Sequence, residues 1–169
     1  MSAHGGLAWI RFLLFMVGIA VSVGMQAWAQ KDACSLATAD ELQAALGTKV
    51  SGLKPQGMQR GSAQMCVGQT PTATVMLRRA QRSSAPGKEA AGIEAAKKMG
   101  AQVEVKTDGP ITCSSMVPPK NLEQYGFNTT CSVFKNGQVA AIEVTAKSRA
   151  NTVTVDALHK VAENMASWM

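Results

Sequence analysis

The sequence predicts an α+β domain, a mainly antiparallel sheet with about three helices packed on one face. Three observations point there. Short alternating segments rich in Val, Thr and Ile are bounded by Gly, Pro and Asn-Gly turns, as antiparallel strands are. Segments 39–46 and 155–169 carry apolar residues at helical steps. An Ala-rich stretch at 88–99 supplies a third helix.

The elements follow in chain order. Thr38-Ala39-Asp40-Glu41 is a capping box, with the Thr38 hydroxyl accepting from the Glu41 amide while Glu41 reaches back. Ala39, Leu42, Ala45 and Leu46 then repeat at helical spacing, and Gly47 ends a helix over 39–46. Residues 48–61, rich in Gly and Lys, read as a strand and a loop. Two strands, at 63–68 and 72–80, meet around Thr70-Pro71. Pro86-Gly87 opens the second helix, with Pro86 near its first position. It runs over 88–99 with Glu94 and Lys98 as an i,i+4 pair and stops at Gly100. Residues 102–106 alternate as a half-buried strand does. Asp108-Gly109-Pro110 is a turn into a strand at 111–116, which Val117-Pro118-Pro119 ends. Strands at 127–134 and 138–146 flank Asn136-Gly137, a strong hairpin signal. Val155, Leu158, Ala162, Met165 and Met169 form an apolar stripe, with Asp156, Lys160, Glu163 and Asn164 on the wet side. Leu77 lies eleven residues after Cys66, and Ile142 eleven after Cys131, each in a strand pair followed by a helix. A duplicated β-hairpin–helix unit explains this likeness; chance is the alternative.

The first thirty residues read as an address. Arg11 precedes an apolar run of 14 residues, Phe12 to Met25, which ends in Ala27-Trp28-Ala29 and Gln30. That is the three-part pattern of a secretory signal peptide. The run falls short of the ~20 residues of a bilayer span; an uncleaved anchor is the alternative. Residues 1–29 are read as the signal peptide and 30–169 as a single disulfide-stapled domain, periplasmic or secreted. The membrane is met only transiently, through the signal peptide. Removing Arg11 lowers the formal net charge from +6 to +5.

Cys34, Cys66, Cys113 and Cys131 all follow the cleavage site. An even number of cysteines in an exported chain reads as a disulfide framework. Three connectivities exist for four cysteines. Cys34–Cys66 and Cys113–Cys131 are favoured, because sequence neighbours pair at the lowest cost in chain geometry. The spacings of 32, 47 and 18 contain no C-x-x-C knuckle for zinc or redox work.

The opening Cys34-Ser35-Leu36-Ala37-Thr38-Ala39-Asp40-Glu41, followed by Leu46-Gly47 and Cys66, resembles small bacterial secreted proteins and lipoproteins of unknown function. In these a Cys-x-Leu-x-Thr-x-x-Glu motif precedes a helix ending in Leu-Gly. The resemblance covers residues 34–66 and implies a bacterial envelope domain, without an activity. The lipoprotein members carry a lipidation cysteine. Here Lys31-Asp32-Ala33 precedes Cys34, which does not make such a site.

The residues offer little catalytic chemistry. His159 is the one histidine after residue 29, with Asp156 at i−3 and Glu163 at i+4. This resembles half a catalytic triad, but no G-x-S-x-G elbow supplies a nucleophile. A boundary histidine beside ordinary helix charges explains it as well. One histidine does not build a zinc or copper cluster, and no Met-x-Met or Met-x-x-Met pair offers a Cu(I) site. No P-loop or G-x-G-x-x-G is present, so neither metal nor cofactor is expected. Glu104, Asp108, Glu123 and Glu143 offer carboxylates, with nothing in their spacing to select a pair.

Arg78, Arg79 and Arg82, followed by Lys88, form one basic cluster and the candidate binding residues. Arg78 and Arg79 point to opposite faces of a strand. They guard an edge strand, or they contact a protein or an anionic envelope component. With aromatics at 5%, nucleic acid lacks a stacking platform and is not expected as a partner. The sequence is thus read as a non-catalytic binding domain. An inhibitor or immunity protein against an envelope hydrolase is one alternative, and a small hydrolase is another.

Overall fold

A computed structural model describes residues 32–57, 63–81, 88–167 and 169. Residues 1–31, with the stretch read above as a signal peptide, the Pro86-Gly87 helix opening, Arg82 and Trp168 lie outside these residues.

The chain begins with a 3-10 turn, Ala33–Ser35, held by the Asp32 carboxylate, which accepts from the Ser35 N–H at 2.8 Å. Helix α1 is Ala39–Leu46. Its capping box forms as expected. The Glu41 N–H donates to the Thr38 hydroxyl at 3.2 Å, and the Thr38 N–H donates to the Glu41 carboxylate at 2.6 Å. Strands β1 (Ser51–Pro55), β2 (Gln64–Gln69) and β3 (Ala73–Gln81) follow. Thr70 turns the chain between β2 and β3, its hydroxyl accepting from the Ala73 N–H at 2.9 Å. Then come α2 (Lys88–Lys98), β4 (Gln102–Asp108), β5 (Ile111–Val117) and a 3-10 segment, Lys120–Tyr125. Strands β6 (Phe127–Lys135) and β7 (Gln138–Ala146) form the expected hairpin, with Asn136 and Gly137 at φ 51° and 71°. Helix α3, Val155–Ser167, ends the fold.

The seven strands form one sheet in the order β1-β2-β3-β7-β6-β5-β4, every neighbouring pair antiparallel. It consists of two meanders joined at a single seam, β3 against β7. Across that seam Leu77 faces Ile142. Outward from the seam, Leu77 faces Cys66 and Ile142 faces Cys131, which in turn faces Cys113. The two eleven-residue spacings therefore mark equivalent hairpin rungs.

Period-two alternation sends Val75, Leu77, Ile111, Cys113, Cys131, Val133, Ile142 and Val144 to one face, all buried. Helix α3 lies on that face and buries Val155, Leu158, Val161, Ala162 and Met165 there. Helix α1 packs beside α3, with Leu42 fully buried. The Asn164 amide donates to Glu41 at 2.9 Å, tying the two helices. The disulfides are Cys34–Cys66, which fastens the first 3-10 turn to β2, and Cys113–Cys131, which links β5 to β6. This is the favoured pairing. The second joins directly opposed residues with Cα atoms 4.0 Å apart, the close spacing of a non-hydrogen-bonded antiparallel pair.

Three expectations need correction. Helix α2 does not share the face of α1 and α3. Strands β3 and β4 run parallel with three strands between them, so α2 crosses over the other face, where Ile93 and Ala96 approach Val103 and Met116. The likeness of the two halves therefore stops at the strands. Next, the Arg-bearing strand is no edge. β3 pairs with β2 on one side and β7 on the other, so Arg78 and Arg79 guard no free edge. The outermost strands are β1 and β4, and β4 is mostly exposed, with Val105 at 43%. Last, Glu94 pairs with Lys97 at 3.0 Å, using the i,i+3 neighbour on the helix surface, where Lys98 was expected.

Candidate functional site

The crossover of α2 leaves a cleft of about 330 Å³ between the helix and the second face of the sheet. Its floor follows from strand alternation. Residues between the buried positions of β5 and β6 must point to this side, and they are small and polar: Thr112 and Ser114 on β5, Thr130 and Ser132 on β6. The register opposes Thr112 to Ser132 and Ser114 to Thr130, so the hydroxyls lie in two adjacent rungs. The roof is apolar because Gly92, Ile93 and Ala96 line the facing side of α2.

A polar chain runs from the floor to the cleft's arginine. The Thr130 hydroxyl donates to the Asn128 side-chain oxygen at 2.8 Å. The Asn128 amide donates to Glu143 at 2.8 Å. Glu143 lies 3.8 Å from Arg78, whose side chain is 50% exposed. Glu143 thus orients the guanidinium without enclosing it, leaving donors free to face an incoming acceptor.

The structure divides the predicted basic cluster. Arg78 lines the cleft. Arg79 lies on the opposite face, where its guanidinium donates to the Gln138 side-chain oxygen at 2.7 Å. Arg82 falls outside the described residues. The floor hydroxyls were missed from sequence. Their signal was the run of Thr and Ser at alternate positions of 112–114 and 130–132.

The triad-like grouping around His159 is also rearranged. His159 sits on the core side of α3 and is only 5% exposed. Its Nδ1 lies 3.4 Å from Glu163, as the i,i+4 spacing suggested. Asp156 turns away and accepts from Lys106 of β4 at 2.7 Å. That hydrogen bond holds Asp156 below the usual carboxylate range and raises Lys106 above the usual lysine range. The group facing the other ring nitrogen is Asp108, 3.7 Å from Nε2. Nε2 makes no hydrogen bond. Asp108 had been one carboxylate among several, and only the sheet order brings the β4–β5 turn beside α3. Among the described residues no helix is long and apolar enough to cross a membrane.

No protein-family model, curated protein or solved structure matches this chain.

Proposed function

We propose that the protein is an exported, non-catalytic binding domain, periplasmic or secreted, that holds an anionic envelope component in the cleft beneath α2. The observation that carries this reading is the half-exposed Arg78 guanidinium beside a floor of paired hydroxyls. Arginine and hydroxyl donors suit a phosphate or carboxylate group, and the Ile93, Ala96 and Met116 side suits an apolar body. The N-terminal pattern supports export, and the two disulfides support an oxidising compartment. The resemblance of the Cys34–Cys66 opening to small bacterial envelope proteins points the same way.

The test is a titration of the oxidised protein with phosphate- and carboxylate-bearing envelope glycan fragments, followed by amide NMR. Shifts should concentrate at Thr112, Ser114, Thr130 and Ser132, and Arg78→Gln should weaken binding at least tenfold. Binding that ignores Arg78→Gln, or no shifts in the cleft with any fragment, overturns the reading.

A further inference from the structure

We propose that Asp108, His159 and Glu163 bind a divalent transition-metal ion of the zinc class, on the opposite face of the sheet from the cleft. The count of histidines had argued against any metal. The geometry supplies a mixed set of one nitrogen and two carboxylates, with one ligand atom from each residue within 4.8 Å of the others.

The imidazole is the key group. Its side chain is 7% exposed, and its Nε2 is buried without a hydrogen bond, which is uncommon for a polar atom in a folded protein. Glu163 stands 3.4 Å from Nδ1. Nε2 faces the Asp108 carboxylate at 3.7 Å. A cation placed there satisfies both.

The surroundings favour an ion of this type. Lys106, two residues before Asp108 on the same side of β4, is engaged by Asp156 at 2.7 Å. The Lys106 ammonium thus donates its hydrogen bond to Asp156 and makes none to Asp108 or Glu163. Metal–ligand bonds of ~2.0–2.2 Å place neighbouring ligands ~3–3.5 Å apart. The Nε2–Asp108 separation is already close to that. The Glu163 side chain is 56% exposed and has the freedom to bring its second oxygen to the ion. Imidazole with carboxylates suits zinc-class ions, whereas calcium and magnesium prefer all-oxygen shells and Cu(I) prefers sulfur.

The experiment is a calorimetric titration of the oxidised protein with Zn²⁺ at pH 7, with Co²⁺ absorption as a second readout. One equivalent should bind and raise the melting temperature. Asp108→Asn and Glu163→Gln, both at exposed positions that keep the fold, should each weaken Zn²⁺ at least tenfold and remove the Co²⁺ ligand-field bands. No saturable binding up to millimolar Zn²⁺ overturns the proposal. Binding unchanged in both variants also overturns it, by placing the ion elsewhere.

Discussion

Leu77 and Ile142 face each other across the β3–β7 seam, and each is opposed on its far side by a disulfide-bonded cysteine, Cys66 and Cys131. Both side chains are fully buried. The rung couples the two meanders to each other and to their staples. Leu77→Ala removes most of a fully buried side chain, so it should cost about 2–5 kcal/mol in denaturant unfolding. A loss below ~1 kcal/mol would show that the seam collapses around the change.

The disulfides stabilise through the loops they close. Replacing Cys113 and Cys131 with alanine should lower stability by about 3 kcal/mol. Replacing Cys34 and Cys66 should cost about 4 kcal/mol, because its loop is longer. Denaturant midpoints of the two double variants, read against the oxidised parent, check the order.

Gly126 begins the return into β6 at φ 89°, a conformation that side-chain-bearing residues rarely adopt. A Cβ there meets the Thr145 methyl at 2.6 Å and the Ala146 carbonyl oxygen at 3.0 Å. Gly126→Ala should therefore destabilise by about 1–3 kcal/mol, even though it adds a single methyl group. Gly109, also at positive φ but with open space around it, offers the control in which only the backbone preference acts.

The Lys106–Asp156 bond sets a pH dependence on the wet side of α3. Asp156 is lowered by that bond, so its contribution is complete above the unfolded carboxylate value and is lost as pH falls through the lowered one. Lys106 is raised, so its contribution is complete below the usual lysine value and is lost as pH rises through the raised one. Thermal melts of Lys106→Gln and the parent should differ most near neutral pH and converge at both extremes. Both groups are exposed, so the difference should be small and shrink with added salt.

Local chemistry was legible in the sequence. The capping box at Thr38 and Glu41, the Asn136-Gly137 turn and the α3 stripe each lie within a few residues, and each formed where the pattern put it. The disulfide pairing followed from chain proximity. What the pattern did not contain was the seam. Ala73 pairs with Ala146 and Gln81 with Gln138, and no local periodicity encodes a contact of that separation. Two readings depended on it: that β3 is central, and that α2 crosses on the second face. The cleft was obscured for the same reason. Arg78 was visible, but its hydroxyl neighbours on β5 and β6 become neighbours only once the second meander docks on the first.

The two meanders also set an order of assembly. Cys34 and Cys66 belong to the first and Cys113 and Cys131 to the second, so no disulfide crosses the seam. Under the export proposed above, the chain emerges amino end first and presents its thiols in that same order. Joining each thiol to the next one that arrives yields the native connectivity. Such a chain needs an oxidant and no catalyst to reshuffle wrong pairs, and its halves can each be locked before they meet.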